Sequence, residues 1–251
     1  MDMMENTDLI DVKVGNTGDR QDWQLGTYEK NDHSHLDAIE RDIPLNEIRS
    51  LQVLRAVQSL SERVIATAAL VVLFLPLVII GLLIRLNSSG PALFVQERVG
   101  KDGKVFRCFK FRTMVDGADD LIDYIIDLND HDGVLFKVKN DPRCTSIGKV
   151  LRRYSIDEFP QIINVALGHM SLVGPRPPLP GEVAQYGVDV RRRLLVKPGL
   201  TGLWQVSGRS NLSWEESVRL DLEYVENWSP LLDAKILLKT VPAVLSGHGA
   251  Y

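Results

Sequence analysis

Residues 64–86 have the sequence VIATAALVVLFLPLVIIGLLIRL, which matches the roughly 20 residues that a helix needs to cross the hydrocarbon core of a membrane. The run lies too far from the first residue to be an ordinary cleaved signal peptide, and no small-residue cleavage site follows it directly. It therefore predicts a helix that lies in or on a membrane.

A proline and the flanking charges indicate how this helix is placed. Pro76 lies near the middle of the run, where it removes a backbone hydrogen bond and favours a kink. Basic residues lie on both sides of the run: Arg49, Arg55 and Arg63 before it, and Arg85, Arg98, Lys101 and Lys104 after it. Because such flanks prefer the cytoplasm, we expect both ends on the same face. The sequence favours a re-entrant membrane helix hairpin over residues 49–90, and the alternative is a tilted span with a proline kink.

Charge is divided unevenly along the chain. The net charge is −4, and residues 1–42 carry 11 acidic and 4 basic side chains, a balance of −7 that leaves +3 for the rest. We therefore expect an acidic, disordered tail over residues 1–48 and a mildly basic cytosolic catalytic domain over residues 91–251. The two cysteines, Cys108 and Cys144, lack metal-ligand spacing, which argues against a disulfide scaffold.

The catalytic domain is predicted to be α+β and mainly helical. Residues 93–114, with Asp102-Gly103 as the turn, predict a β-hairpin. Helices are expected over residues 114–128, 146–153, 157–167, 213–227 and 231–245. A capping box, Ser213 with Glu216, marks the start of the fourth. The last is amphipathic and would lie in a membrane interface or pack on the core. The run 191–193, three arginines, would touch anionic lipid or remain solvated.

The window from residue 152 to 160 places two adjacent carboxylates, Asp157 and Glu158, behind two arginines at the start of a helix. Pro160 marks this start, because proline fits the first helical turn. The helix dipole and free N–H groups favour a charged carboxylate, so Asp157 is expected to be ionised at neutral pH and available as a nucleophile or metal ligand. Ser155 and Glu158 also fit a capping box, which is a purely structural alternative.

Cations elsewhere in the chain are candidates for binding phosphate. Arg176 lies between two prolines, which would present its guanidinium from a stiff loop; pairing with a neighbouring acid is the alternative. Lys110 and Arg112, in the second strand of the hairpin, would face a phosphate or stay solvated. Arg209 ends the glycine-rich loop 196–209, which has neither a Walker nor a Rossmann pattern.

Several motifs follow one another in a fixed order. They are PALFVQERVG at 91–100, KFRTM at 110–114, DPR at 141–143, LRRYSIDEFP at 151–160, Asn164, MSLVGPRP at 170–177, KPGLTG at 197–202 and QVSGR at 205–209. In this order they resemble the bacterial sugar transferase family, the monotopic polyprenyl-phosphate hexose-1-phosphate transferases. The resemblance runs from about Arg55 to the C-terminus. The chain length suggests that the larger versions of the family, with extra membrane helices, are not represented.

The resemblance implies a reaction and roles for the residues above. Such enzymes transfer a sugar 1-phosphate from a UDP-sugar to undecaprenyl phosphate and release UMP, at the start of exopolysaccharide, capsule or other glycoconjugate assembly. By resemblance, Asp157 attacks the β-phosphate to form a phosphosugar-aspartate intermediate, and Glu158 holds Mg²⁺. The cations implied around the substrates are Lys110, Arg112, Arg152, Arg153, Arg176 and Arg209.

The resemblance also implies a setting and partners. The protein would lie in the bacterial inner membrane with its catalytic domain facing the cytoplasm, in contact with membrane lipid and without nucleic acid. Glucose and galactose are the expected hexoses, and a homodimer is left open. Two other classes stay as alternatives, a membrane-bound metal-dependent hydrolase and a non-catalytic membrane assembly factor.

Overall fold

A computed structural model of the protein describes residues 45–118, 120–121, 141–209 and 212–247, with side chains described from residue 53 onward. Residues 1–44, most of the acidic tail predicted over 1–48, lie outside the described residues. The chain divides into two compact units, 1–52 and 53–251, and all side-chain contacts given below lie within the second unit.

Helix α1 (Leu45–Asn87) contains the apolar run, and among the described residues it is the one helix long and apolar enough to cross a membrane. It exposes large apolar side chains such as Val71, Val72 and Leu86, and only 6 % of its most apolar 18-residue window is buried. A core helix of a soluble protein would be mostly buried, so this exposure supports a membrane association. Pro76 lies inside a continuous helix, and the expected re-entrant hairpin is not shown.

The other side of α1 packs on the rest of the second unit. Ala66 is buried against Phe106 in one apolar cluster, and Ile84 is buried with Phe111 and Leu151 in another. Burial of apolar surface at about 25 cal/mol per Å² stabilises both contacts. The helix is therefore docked at two levels, some 18 residues apart.

The predicted β-hairpin is confirmed. Strands β1 (Leu93–Val99) and β2 (Val105–Phe111) pair antiparallel, with Leu93 opposite Phe111. Asp102 in the turn adopts φ 57°, in the left-handed region that aspartate tolerates better than most residues. Alternation along β2 buries Cys108 and leaves Arg107 exposed.

The segment that carries the two carboxylates follows the hairpin. Helix α2 (Ser146–Arg153) has its predicted bounds. Thr145 caps its N-terminus, and the Thr145 hydroxyl accepts the Gly148 N–H at 2.9 Å. A 3₁₀ turn (Ile156–Gln161) then leads into α3 (Ile162–Leu167). The helix predicted over 157–167 therefore begins as a tighter turn.

The helix predicted over 114–128 is wrong at residues 114–117, and the described residues that follow, 118 and 120–121, lie in a 3₁₀ turn. Met114 forms an isolated antiparallel bridge with Cys144, and a turn follows in which the Asp120 N–H donates to the Gly117 carbonyl. Residues 119 and 122–128 lie outside the described residues. The bridge places the residues after β2 beside the start of α2.

Short elements build the next part of the unit. They are β3 (Ser171–Val173), α4 (Pro180–Ala184), α5 (Val188–Arg191), a 3₁₀ turn (Arg192–Leu195), β4 (Gly199–Thr201) and α6 (Leu203–Ser207). Strands β3 and β4 pair in parallel, with Ser171 opposite Gly199. A Cβ at Gly199 would collide with the backbone nitrogen of Gly174, so the close approach of the two loops requires glycine.

Two longer helices complete the unit. Helix α7 (Trp214–Glu226) begins with the predicted capping box, in which Ser213 and Glu216 bond each other's backbone N–H. Helix α8 (Pro230–Ser246) buries Ile236 in a core cluster while Leu238 on the same helix is exposed. The fold is α+β and mainly helical, with the hairpin packed on the segment of α2 and α3, as predicted.

Candidate active site

Asp157 and Glu158 lie at the start of the 3₁₀ turn Ile156–Gln161. Ser155 precedes it with φ 53°, a left-handed conformation that redirects the chain after α2. The Ser155 side chain makes no capping bond, and the Glu158 carboxylate pairs with Lys110 instead. The capping box considered for these two residues is therefore wrong, because the opposite charge on β2 is the closer partner.

The turn is held against β2 by the side chain of Asn164, which is fully buried. Its Oδ1 accepts the Phe109 N–H at 3.1 Å, and its Nδ2 donates to the Arg107 carbonyl at 2.6 Å. The Asn164 amide thus satisfies two backbone groups of β2 that a neighbouring strand would otherwise bond. Lys110, the next residue of β2, donates its Nζ to Glu158 Oε1 at 2.7 Å. Lys110 and the two carboxylates are thus positioned together.

The protein environment shifts the pKa values of the two carboxylates in opposite directions. Burial and the neighbouring Glu158 raise the pKa of Asp157 to about 6. The sequence predicts that the helix start favours the charged form, but burial outweighs that effect; because the pKa stays below 7, Asp157 is still mostly ionised at neutral pH. Burial also acts to raise the pKa of Glu158, yet the attraction and hydrogen bond of Lys110 hold it below its usual range. Two adjacent carboxyls that titrate apart can take different roles.

The two carboxylates line a cavity of about 610 Å³, a size typical of small-molecule sites. Most of the predicted cations line it too: Lys110, Arg112, Arg152, Arg176 and Arg209. The structure does not bring Arg153 to this wall; its guanidinium lies 5.7 Å from the centre of the Tyr154 ring. A cavity with this excess of cations suits an anionic ligand.

Arg176 combines both of the roles considered from the sequence. It lines the cavity, and its Nη1 lies 3.2 Å from Oε1 of the buried Glu182. Glu182 also accepts the Leu179 N–H at 2.9 Å. Glu182 therefore links the arginine side chain to the backbone three residues further along the loop.

Arg193, the last residue of the arginine run 191–193, neither binds lipid nor is solvated, in contrast to the two expectations from the sequence. Arg193 is buried, forms an ion pair with the fully buried Asp221, and lies 5.6 Å and 5.5 Å from the ring centres of Tyr186 and Trp214. Its neighbour Arg192 pairs with an acid of α7. Both expectations fail for Arg193 because the tertiary fold supplies a buried carboxylate 28 residues away.

Two lining residues were not singled out from the sequence. In the sequence, Arg98 was considered only as one of the charges that flank α1. In the structure it is buried and donates its Nη1 to the Pro177 carbonyl at 2.9 Å. Burial, with the nearby Arg176, lowers the pKa of Arg98 to about 10. Gln205 lines the same cavity from α6. The available signal for Arg98 was a cation inside a predicted strand.

A divalent cation would find a limited set of donors here. Among the described residues there is no cluster of three or more His, Cys, Asp or Glu that could hold a metal. Mg²⁺ is usually held by one or two protein carboxylates together with substrate phosphates and water. Asp157 and Glu158 fit that arrangement and do not form an all-protein cage.

The apolar helix and the cation-lined cavity define a class, a membrane-associated protein with a site for anionic ligands. The chain belongs to the bacterial sugar transferase family, whose model matches residues 53–247. The match begins within α1 and includes every residue of the cavity wall.

Three relatives show the range of similarity. The exopolysaccharide production protein ExoY of Rhizobium meliloti is 39% identical over 75% of this chain and 85% of its own. The UDP-glucose:undecaprenyl-phosphate glucose-1-phosphate transferase of Caulobacter vibrioides is 40% identical over 75% of this chain and 70% of its own. The undecaprenyl-phosphate galactose phosphotransferase of Salmonella typhimurium is 45% identical over 66% of this chain but only 36% of its own. The chain spans less than half the length of several such relatives.

Proposed function

We propose that this protein transfers a sugar 1-phosphate from a UDP-sugar to undecaprenyl phosphate, giving undecaprenyl-diphosphate-sugar and UMP. The observation that carries the proposal is the cavity in which two carboxylates of different pKa are surrounded by cations. The names of two relatives supply the substrate class, a glucose or galactose phosphate and an undecaprenyl carrier. Exopolysaccharide assembly is the process proposed, after the relative from Rhizobium meliloti.

The chemistry proceeds through two displacements at the same phosphorus. In the first, a carboxylate oxygen of Asp157 attacks the β-phosphorus of the UDP-sugar, the bond to the bridging oxygen breaks, and UMP leaves. In the second, an oxygen of the lipid phosphate attacks that phosphorus, and the bond to Asp157 breaks to restore the carboxylate. Because the anionic lipid never meets the intact diphosphate, each step brings together fewer negative charges.

The cations of the wall reduce the repulsion between nucleophile and substrate. Arg176 presents its guanidinium from a loop in which Glu182 holds both Arg176 and the Leu179 N–H, which limits the entropy lost on binding a diphosphate. Lys110 keeps Glu158 ionised and thereby available as a metal ligand. Mg²⁺, held by Glu158 with the carboxylate of Asp157 nearby, would neutralise the diphosphate and the departing UMP.

The contacts of α1 support attachment from one face of the membrane. Near its start, Gln58 donates to Asp233 at 2.7 Å, and at its end Arg112 donates to the Ser88 carbonyl at 2.9 Å. These ends are about 45 Å apart along a helix, yet they bind the same unit. A helix crossing the bilayer would place them on opposite faces.

In this proposal both ends of α1 lie on the cytoplasmic face of the bacterial inner membrane, with Pro76 as the point where the helix bends into the bilayer. Single cysteines introduced before Ser61 and after Ser88 are the test. Labelling of both from the cytoplasmic side supports the re-entrant placement, and labelling from opposite sides would show a true span.

The reaction itself is tested with purified full-length protein in detergent, a panel of UDP-sugars, undecaprenyl phosphate and Mg²⁺. UMP release and lipid product are measured for wild type and Asp157→Ala. The proposal expects both products from wild type with a UDP-hexose and neither from the variant. Full transfer by Asp157→Ala would sink it. Water-dependent cleavage without lipid product would favour a hydrolase, and no turnover with any donor would favour an assembly factor.

A further inference from the structure

Arg112 lies where the membrane helix meets the cavity. It follows β2 directly, and its backbone N–H donates to the Ala92 carbonyl at 2.8 Å. Its Nη2 donates to the carbonyl of Ser88 at 2.9 Å and to the Ser88 hydroxyl at 2.8 Å, just beyond the last residue of α1. The guanidinium is thereby held at a fixed point between helix and site.

The described residues offer no hydrogen-bond acceptor to two other donor atoms of this guanidinium. The side chain is only 8 % exposed, and both Nε and Nη1 are buried without a hydrogen bond among the described residues. Asp116 Oδ1 lies 3.9 Å from Nη1, which is beyond hydrogen-bond reach. A buried cation with unsatisfied donors is costly unless a ligand completes it, and Arg112 lines the cavity.

The wall beside Arg112 is apolar and leads back to the membrane helix. Pro91, Leu93 and Phe94 line the same cavity, and the side chains of Leu93 and Phe94 are exposed. Large apolar side chains on the last turns of α1, such as Leu83 and Leu86, are exposed as well. Exposed apolar side chains therefore lie both on the membrane helix and on the wall of the cavity that Arg112 lines.

We propose that Arg112 binds the phosphate of the polyprenyl phosphate acceptor and that Pro91, Leu93 and Phe94 contact the first isoprene units of its chain. This inference rests on the proposed function and adds to it the residues that distinguish the lipid substrate from the nucleotide substrate. An isoprenoid phosphate has one anionic end and one apolar chain, which is the combination that this part of the wall offers.

The test compares the two substrates separately in the full-length protein. Arg112→Gln removes the charge, Arg112→Lys keeps it, and Arg107→Gln is the matched control, since Arg107 is an exposed arginine of β2, the strand that Arg112 follows. For Arg112→Gln we expect the KM for undecaprenyl phosphate to rise about tenfold or more, as for loss of a charged hydrogen bond, with partial recovery in Arg112→Lys. The KM for the UDP-sugar should change by less than about twofold.

A second variant and a binding measurement keep this inference separate from the reaction. Phe94→Ser should raise the KM for undecaprenyl phosphate and for a short-chain isoprenyl phosphate by similar factors and leave the KM for the UDP-sugar unchanged, because both lipids carry the first isoprene units. Calorimetric titration with the short-chain phosphate should show weaker binding to Arg112→Gln than to wild type, even if wild type releases no UMP and the proposed function fails.

Two results would overturn the assignment of Arg112. An equal rise in both KM values would place Arg112 on the UDP-sugar. Unchanged lipid affinity in Arg112→Gln would show that Arg112 has only a structural role, through its hydrogen bonds to Ser88.

Discussion

The amide of Asn164 is the contact whose loss should separate the catalytic turn from the hairpin. It is fully buried and satisfies two backbone groups of β2, the Phe109 N–H and the Arg107 carbonyl. Asn164→Ala removes both partners at once. Water has no route to a site with no exposed surface, so both backbone groups would remain unpaired.

The cost follows from these two groups. Each buried polar group left without a partner costs about 1–3 kcal/mol, so the variant should lose about 2–6 kcal/mol of unfolding free energy. At the middle of that range, the midpoint of thermal unfolding should fall by roughly 8–16 °C for a unit of this size. Transfer activity should fall as well, since Lys110 and Glu158 are positioned by the same contact.

Thermal unfolding of purified wild type and variant in the same detergent gives the measurement. Asn227→Ala is the matched control, because the amide of the exposed Asn227 also donates to a carbonyl, that of Glu223, at 2.9 Å. Its loss should cost less than about 0.5 kcal/mol, as water replaces the bond. If Asn164→Ala unfolds within about 1 °C of wild type, the proposed role of this amide in fixing the turn is refuted.

Four further predictions concern the two carboxylates and the metal ion that they would hold. Because the pKa of Asp157 is raised to about 6, kcat/KM should fall about tenfold per pH unit below that value in a pH–rate profile; a flat profile between about pH 4 and 7 would contradict this. The same raised pKa favours the protonated group in the folded state, so this contribution to stability is present below the unfolded pKa of about 4 and is lost as the pH rises through about 6. Lys110 also lowers the pKa of Asp157, so Lys110→Met should raise that pKa and move the acid limb to higher pH, whereas an unmoved limb would show that Lys110 does not govern the titration. Chelation of divalent cations should abolish transfer, with recovery on adding Mg²⁺ and little change in the unfolding midpoint; full activity in chelator would exclude the metal's role.

Local patterns predicted the elements whose signals are local. The ends of α2, the capping box at Ser213 and the two strands of the hairpin all follow from neighbouring residues. The order of the motifs also indicated the cations that the fold gathers around Asp157. These features required no knowledge of distant contacts.

Features that depend on distant partners could not be predicted in the same way. Arg193 lies in a run that suggests a solvated surface, and its burial depends on Asp221 of α7. Glu158 was paired with a nearby serine in the capping alternative, but Lys110, 48 residues away, is its partner. The burial that raises the pKa of Asp157 likewise comes from packing between segments far apart in sequence.

The covalent step is the central claim, and the mass of the intact protein tests it most directly. Wild type and Asp157→Ala are incubated with a UDP-hexose and Mg²⁺ without lipid, quenched, and compared by mass spectrometry. We predict that wild type gains one hexose-phosphate group located on Asp157, that undecaprenyl phosphate removes it, and that the variant gains none. Absence of this adduct from wild type that is active in transfer, or its appearance in Asp157→Ala, would contradict the account.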